Sequence, residues 1–356
     1  MQSDGDRVDC DDSNSLVRLR DSLIQTEQTQ TSKNKGKIQP SGESDMAAGS
    51  LELPVVDLAS PDLQSVAEAV RKACVETGFF YVTNHGIQDE LLDAVFAESK
   101  MFFELPLGEK MLLQRNSSHR GYTPPYAEKL DASSEFQGDL KESFYIGPVG
   151  GLDTPNDTNQ WPPKERFPSW KDTMKLYHAT ALAAGKRILS LIALSLDLDA
   201  VFFQNIGAFD CPSAVIRLLH YSGEVNDSDN GNYGASAHSD YGMITLLATD
   251  GTPGLQICRE KDKHPQLWED VPHIDRTLIV NIGDLLERWT NCIFRSTLHR
   301  VVTVGRERYS VAYFLDPSPD LVVQCLESCC CEANPPRFPP ITGGDYLKER
   351  FSATYK

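Results

Sequence analysis

The sequence predicts an α+β fold, in which helices come early and a β core follows. Apolar residues recur at helical spacing in the first part of the chain, most clearly over residues 169–198. From residue 213 onward the pattern changes to short strands separated by turns: AVIRLLHYS, MITLLATD, LQIC, LIVNIGD, FRSTLHRVV, RYSVAYFLD and LVVQC. Several short strands at close spacing are typical of an antiparallel sandwich or barrel.

The early elements each carry local signals. LPVVDL predicts a short strand, and SPDLQSVAEAVRKACVETG predicts a helix with Ser60 as its N-cap, Pro61 at its first position and Gly78 as its end. FFYVTNHG predicts a strand that ends in a turn. QDELLDAVFAESKMFFELP predicts a second helix, which Pro106 ends.

Three longer stretches complete the organisation. Residues 1–50 are rich in Ser, Asp, Gln, Lys and Gly, which predicts a disordered arm. Prolines interrupt residues 107–168, so we expect loops there. SWKDTMKLYHATALAAGKRILSLIALSLDL, residues 169–198, predicts the longest helix.

Composition narrows the class of protein. The net charge of −17 makes nucleic acid and anionic membranes poor partners, and the absence of a run of 18 apolar residues argues against a membrane span. The acidic N-terminus resembles neither a signal nor a transit peptide. The nine cysteines are odd in number, which favours reduced thiols in the cytosol. We expect a cytosolic monomer that acts on a small molecule.

The cluster of Cys325 with the three cysteines at 329–331 could suggest a metal or redox site. It lacks the CxxC spacing and the second matched pair of structural zinc sites. We therefore expect a reduced, cysteine-rich loop.

Three residues in the β region are candidate metal ligands. His238 and Asp240 lie at i and i+2, so their side chains share one face of an extended strand. With 8 His and 51 Asp or Glu in the chain, this pair alone is weak evidence. His299 interrupts the apolar strand STLHRVV, where it is either a third ligand or a hydrogen-bonded core histidine.

A second group lies near them. Arg308 and Ser310 share one face of RYSVAYF, and a buried guanidinium requires an anion, from either a bound molecule or a core carboxylate. Tyr221 offers a phenol from the preceding strand. Two histidines and one carboxylate are the ligand set of non-haem Fe(II) oxygenases, and an arginine suits the carboxylate of a co-substrate. Zinc would accept the same ligands, but a hydrolytic zinc site gives no reason for the Arg-x-Ser pair.

The order HSD, LHRVV and RYS, preceded by VVDL and GFFYVTNHGI, resembles the plant Fe(II)/2-oxoglutarate-dependent dioxygenases of the isopenicillin-N-synthase-like group. The resemblance covers residues 53 to about 350. It implies a distorted double-stranded β-helix, or jelly roll, buttressed by helices. It also implies an N-terminal region at 51–168 and a catalytic region at 169–356, with the dioxygenase domain at about 212–320.

The resemblance also implies roles for single residues. His238, Asp240 and His299 would bind Fe(II), and Arg308 and Ser310, assisted by Tyr221, would bind the C5 carboxylate of 2-oxoglutarate. O2 is the other co-substrate, and ascorbate is a candidate additional cofactor.

The chain departs from this group at two places. The run HYSGEVNDSDNGNYGASAHSD replaces a Tyr-Pro-Pro type of segment, and Cys292 stands where relatives usually carry Gly. A cysteine there predicts a turn that needs no positive φ.

Several strings, among them HRGYTP, DLKESFYIG and VNIGDLLERWTN, resemble the plant homoarginine-6-hydroxylases. That clade hydroxylates homoarginine at C6, and the product breaks down with release of guanidine. Glu128 and Glu142 are our candidates for the substrate guanidinium, although loop carboxylates are usually solvated. Arg120 is a candidate for the substrate carboxylate, or it stacks on Tyr122.

Two alternatives stay open. The chain could hydroxylate a specialised metabolite, such as an alkaloid, phenolic or hormone, or it could be a non-catalytic jelly-roll binding module. The intact set of three ligands and the Arg-x-Ser pair favour an enzyme.

Overall fold

The computed structural model describes residues 51–130, 138–148, 158–223 and 233–354. The predicted arm at 1–50 lies outside the described residues. The helices are α1 (Leu63–Glu76), α2 (Asp89–Phe103), α3 (Leu107–Met111), α4 (Trp170–Ser195), α5 (Phe202–Asn205), α6 (Asp284–Trp289) and α7 (Gly343–Thr354). The strands are β1 (Val55–Asp57), β2 (Phe79–Thr83), β3 (Gly121–Thr123), β4 (Lys141–Ile146), β5 (Ser213–Tyr221), β6 (Ala235–His238), β7 (Ile244–Thr249), β8 (Leu255–Cys258), β9 (Glu269–Asp270), β10 (Leu278–Ile282), β11 (Leu298–Val301), β12 (Arg308–Asp316), β13 (Val322–Val323) and β14 (Ile341–Thr342).

Two sheets form the β core. The larger sheet has eight strands in the order β1-β2-β10-β7-β12-β5-β4-β3, and the smaller has four in the order β6-β11-β8-β9. Helices α1, α2 and α4 pack over one face of the larger sheet, and the smaller sheet covers its other face. This is the predicted α+β fold with a jelly-roll core, in which a cavity lies between the two sheets.

Alternation along the strands separates two sets of side chains. On β5, Ile216 and Leu218 belong to the helix-covered core, whereas Leu219 and Tyr221 belong to the cluster between the sheets. The pairing of β5 with β4 and β12 extends this division to neighbouring strands, because residues directly opposite each other point to the same face. Neighbouring residues along any of these strands therefore point in opposite directions, one toward the cavity and the next toward the helices.

The first helix confirms one prediction and corrects another. Gly78 ends the segment with φ +68, and a Cβ there would lie 2.2 Å from the carbonyl oxygen of Arg295, so only glycine fits. Ser60, however, is not the N-cap. Asp62 is, because its carboxylate accepts a hydrogen bond from the Ser65 N–H at 3.1 Å. The helix thus begins two residues later than the Ser-Pro signal predicted.

Position 292 corrects a second prediction. Cys292 has φ +65 and follows Asn291 at φ +52, so the turn after α6 does adopt the left-handed conformation. The N–H of Cys292 donates to the carbonyl of Glu287 at 2.8 Å, and this bond holds the turn. The substitution places a cysteine in a conformation that favours glycine, rather than removing the need for one.

The cysteine cluster contains free thiols. Cys325, Cys329, Cys330 and Cys331 are all unbridged. Among the described residues, the only close group of three metal-ligating side chains lies elsewhere, between the two sheets. None of the helices in the described part of the chain has the length and apolarity needed to cross a membrane.

Candidate active site

The three predicted metal ligands meet between the sheets. His238 ends β6 and lies opposite His299 on β11, and Asp240 follows β6 by two residues. The Oδ1 atom of Asp240 is 3.9 Å from Nε2 of His238 and 3.7 Å from Nε2 of His299. The three potential ligand atoms lie within 4.8 Å of one another, which is close enough to hold one metal ion.

Hydrogen bonds turn these three side chains toward a common point. Nδ1 of His238 donates to the Ser236 carbonyl at 2.7 Å, and Nδ1 of His299 faces the Thr297 carbonyl at 3.2 Å. Each imidazole therefore presents its Nε2 lone pair to the shared space, an arrangement typical of metal-binding histidines.

The carboxylate of Asp240 is fixed in the same way. Its Oδ2 accepts hydrogen bonds from Thr245 Oγ1 at 2.5 Å and from Asn281 Nδ2 at 2.7 Å, which leaves Oδ1 facing the histidines. Neither donor was predicted from the sequence. Each is a polar residue in an otherwise apolar strand, MITLLAT or LIVNIGD, and that interruption is the signal that could have identified them.

The electrostatics suit metal binding. Burial and the neighbouring His299 lower the pKa of His238 to about 4, so its imidazole is neutral near pH 7. Burial raises the pKa of Asp240, but the two histidines and the Thr245 and Asn281 hydrogen bonds lower it more, so the net shift is downward. A neutral imidazole and an ionised carboxylate are the forms that bind a metal ion.

Arg308, Ser310 and Tyr221 form a second group. Arg308 is only 3% exposed, its Nη1 donates to Ser310 Oγ at 3.1 Å, and its Nε donates to the Thr252 carbonyl at 3.3 Å. The guanidinium lies over the ring of Tyr221, its partner on β5, at 5.0 Å. No carboxylate in the described part of the chain forms an ion pair with Arg308, so the alternative of a structural ion pair finds no support there. A buried guanidinium that forms no ion pair with a described carboxylate is suited to bind the carboxylate of a 2-oxo acid.

Both groups line one cavity between the sheets. Apolar side chains make up most of its wall, and its charged lining residues among those described are Asp240, Arg308, Lys141 and Arg217. The apolar lining residues are Phe79, Leu130, Leu219, Ala235, Leu247, Leu255, Val301, Ala312 and Phe314.

Glu142 lies on the other side of the sheet. It pairs with His220 across β4 and β5, and its carboxylate contacts Lys110 Nζ at 2.7 Å, His220 Nδ1 at 2.7 Å and the Tyr122 hydroxyl. Strand alternation therefore points Glu142 toward the helices, whereas its neighbour Lys141 lines the cavity. This placement does not support the predicted contact between Glu142 and a substrate guanidinium.

Glu128 is buried behind the cavity wall. It accepts a hydrogen bond from the Tyr145 hydroxyl at 2.8 Å, and its oxygens contact Arg115 Nη1 at 3.3 Å, Lys141 Nζ at 3.5 Å and Arg217 Nη2. Burial raises the pKa of Glu128, but the nearby cations and the Tyr145 hydrogen bond lower it by more. The net shift is downward, so the carboxylate is ionised. Unlike Lys141 and Arg217, Glu128 is not among the described lining residues of the cavity, which does not support a role in holding a substrate guanidinium.

Arg120 also lies away from the cavity lining. Its Nη1 donates to the His119 carbonyl at 3.2 Å, and its side chain packs against the backbone of Gly147. None of the three predicted substrate contacts is thus among the described lining residues. The cations that do line the cavity, Lys141 and Arg217, were missed because their direction depends on strand register.

Comparisons with known proteins agree with this geometry. Residues 53–164 match the family described as non-haem dioxygenase in morphine synthesis N-terminal, and residues 212–317 match the family described as 2OG-Fe(II) oxygenase superfamily. Kihadalactone A synthase LFS from Citrus sinensis is 44% identical over 312 residues, which cover 84% of this chain and 93% of that protein. Azadirone synthase LFS from Melia azedarach is 41% identical over 311 residues, which cover 85% of this chain and 93% of that protein.

A similar solved structure comes from Neurospora crassa and was determined in complex with alpha-KG and thymine. It superposes with a TM-score of 0.75 at 30% identity and covers 86% of this chain and 98% of that chain. The structural likeness therefore extends over most of the chain.

Proposed function

The chain belongs to the 2OG-Fe(II) oxygenase superfamily, and we propose that it hydroxylates a small molecule beside an iron held by His238, Asp240 and His299. It is an enzyme whose chemistry uses Fe(II), 2-oxoglutarate and O2. One observation carries the proposal: the cluster of three ligands and the buried Arg308 with Ser310 face the same cavity.

Each group of residues has a separate task. His238, Asp240 and His299 would hold the iron, and a set of only three protein ligands would leave coordination positions for small molecules. Arg308 and Ser310 hold the C5 carboxylate of 2-oxoglutarate, and Tyr221 positions the guanidinium. When bound there, Fe(II), 2-oxoglutarate and O2 would supply the oxidising chemistry: one oxygen atom of O2 enters succinate as the 2-oxo acid loses CO2, and the other hydroxylates a substrate C–H bond. The apolar wall excludes water from this reaction.

For the substrate, we propose homoarginine, hydroxylated at C6 with release of guanidine. The support is the set of strings HRGYTP and DLKESFYIG, together with a cavity whose charges could hold an amino acid. Asp240 is the only carboxylate among the described lining residues. Asp131 and Glu135, two other acidic residues between Glu128 and Glu142 in the sequence, lie outside the described residues.

A specialised metabolite is the second candidate. The two plant relatives at 44% and 41% identity are named as synthases of kihadalactone A and azadirone, and the largely apolar wall suits an apolar substrate body. We further propose that the protein acts as a monomer in the cytosol, with its thiols reduced.

The test is a substrate-dependent assay with purified protein, Fe(II) and 2-oxoglutarate, with and without ascorbate. Succinate and guanidine are measured with homoarginine, arginine, thymine and apolar candidates. We expect succinate and guanidine in equal amounts with homoarginine. Succinate formation with the apolar candidates alone would show that the guanidino proposal is wrong, while the hydroxylase proposal would stand.

A further inference from the structure

One lysine and one arginine side chain in the cavity have no part in the chemistry described so far. Lys141 on β4 and Arg217 on β5 both line the cavity, and both are at least nine-tenths buried. In the proposed function, Asp240 is assigned to the metal and Arg308 to 2-oxoglutarate. The charges left on the cavity wall, among the described residues, are therefore both positive.

Strand register places Arg217 on the same face of the larger sheet as the donors to the metal ligand Asp240. Arg217 lies opposite Ala312, and Ala312 lies opposite Leu247, so these three form one row across the larger sheet. The adjacent row on the same face contains Thr245, which donates to Asp240. Successive residues on one face of a strand are about 6.7 Å apart. Arg217 therefore lies one such step along the strands and two strands across the sheet from Thr245, a Cα separation of roughly 12 Å on the same face of the cavity wall.

Lys141 approaches from the neighbouring strand. Its Nζ donates to Asp139 Oδ2 at 2.6 Å, and the other oxygen of Asp139 accepts from the N–H of Ser236 at 2.9 Å and from its hydroxyl at 2.6 Å. The carbonyl of Ser236 in turn orients His238. Asp139 thereby links Lys141 through hydrogen bonds to β6, the strand that ends in His238.

Buried carboxylates fix both cations in place. Glu128 contacts Nη2 of Arg217 and lies 3.5 Å from Nζ of Lys141, and the guanidinium of Arg217 also lies over the ring of Tyr145 at 4.7 Å. A cation held by a buried carboxylate loses little further side-chain freedom when it binds a ligand. The arrangement resembles the preorganised supports that hold functional side chains in position.

We propose that Arg217, assisted by Lys141, binds a carboxylate of the primary substrate in the cavity that contains the metal position, and so selects anionic substrates. This inference rests on the proposed hydroxylase function. It names a substrate class: an acid whose carboxylate meets Arg217 and whose remaining body packs on Leu219, Leu247 and Phe314. The α-carboxylate of homoarginine and the carboxylate of an apolar acid both satisfy it, whereas a neutral substrate does not.

The experiment measures binding rather than turnover. Calorimetric titrations are made without oxygen on the full chain loaded with Fe(II) and 2-oxoglutarate. The probes are two matched pairs, L-homoarginine with its methyl ester and indole-3-acetate with its methyl ester. For at least one pair, we expect the acid to bind about 10- to 150-fold more tightly than the ester, since a charged hydrogen bond contributes about 1.5–3 kcal/mol.

Variants assign the preference to a residue. Arg217→Gln should bring the ratio of acid to ester affinity close to one, and Arg217→Lys should retain part of it, because lysine keeps the charge but loses the fork. Leu218→Met, on the helix-facing side of the same strand, is the matched control and should leave the ratio unchanged. If Arg217→Gln fails to fold, Arg217→Lys and Lys141→Gln carry the test, and each should lower the ratio.

The outcomes separate this inference from the proposed function. Discrimination for indole-3-acetate alone would support the anion site and oppose homoarginine as substrate. Equal binding of acid and ester in both pairs, no binding of either acid, or a ratio that survives every one of these substitutions would overturn the inference. Substrate-dependent succinate formation with a neutral compound would then still support the hydroxylase proposal.

Discussion

Asn281 offers the sharpest test of how the metal position is built. Its Nδ2 donates to Oδ2 of Asp240 at 2.7 Å from within β10, and Asn281 is 3% exposed. Replacing Asn281 by Ala removes one of two hydrogen bonds that hold this carboxylate. A buried hydrogen bond to a charged group contributes about 1.5–3 kcal/mol, which corresponds to roughly 10- to 150-fold in an equilibrium constant.

Only part of this free energy acts on the metal, because Thr245 still holds Oδ2 in the variant. Substitution of groups that orient metal ligands usually lowers metal affinity about 10- to 100-fold. We therefore expect Asn281→Ala to weaken Fe(II) binding by about 10-fold, as measured by anaerobic titration. The double variant with Thr245→Val should lose more than either single variant.

The matched control is Gln64→Ala. It removes another amide donor from a carboxylate, since Gln64 Nε2 donates to Glu68 at 3.3 Å on the exposed face of α1. Fe(II) affinity should be unchanged there. If Asn281→Ala bound Fe(II) as tightly as the wild type and the double variant did too, the assigned role of these donors would be wrong.

Three further predictions follow from other parts of the molecule. Arg308→Ala should raise the KM for 2-oxoglutarate about 100-fold in succinate assays and leave Fe(II) affinity unaltered, and an unchanged KM would contradict its assigned role. Glu142→Ala should lower the free energy of unfolding in urea by about 3 kcal/mol, because it leaves buried Lys110 without its carboxylate, yet it should not change substrate KM; a selective KM effect would restore the guanidinium role. Asp316 is buried, which raises its pKa to about 7, so the folded state binds its proton more tightly and loses stability as pH rises from about 4 to 7. At about 1.4 kcal/mol per pH unit this loss reaches up to roughly 4 kcal/mol, and metal-free Asp316→Asn should show a flatter dependence in urea titrations at several pH values; parallel curves for the two proteins would refute it.

The grouping of His238, Asp240 and His299 was predictable, because a local sequence pattern marks each of these residues. The i, i+2 spacing of His238 and Asp240 puts both on one side of the chain, and His299 interrupts an apolar strand that pairs with β6. The positions of Arg308 and Ser310 followed from the same alternation. The strand-rich second half likewise gave the fold class, since its periodicity does not depend on tertiary contacts.

The substrate residues were not predictable in this way. Lys141 and Glu142 are adjacent in DLKESFYIG, and only the pairing of β4 with β5 decides which of them faces the cavity. Glu128 was predicted to bind a substrate guanidinium, but it forms ion pairs with Arg217 and Lys141, which are distant in sequence, and it is not among the described lining residues of the cavity. The prediction of Ser60 as N-cap was wrong for a smaller reason, because Ser60 and Asp62 are both residue types that cap helices well and lie two residues apart.

The central claim is that His238, Asp240 and His299 hold the iron on which 2-oxoglutarate turnover depends. The most direct measurement is Fe(II) binding and succinate formation side by side for the wild type and for Asp240→Ala, with Gln64→Ala as the control. We predict one Fe(II) per chain and Fe(II)-dependent succinate in the wild type and the control, and the loss of both in Asp240→Ala. Iron binding and succinate formation that persist in Asp240→Ala would contradict the account.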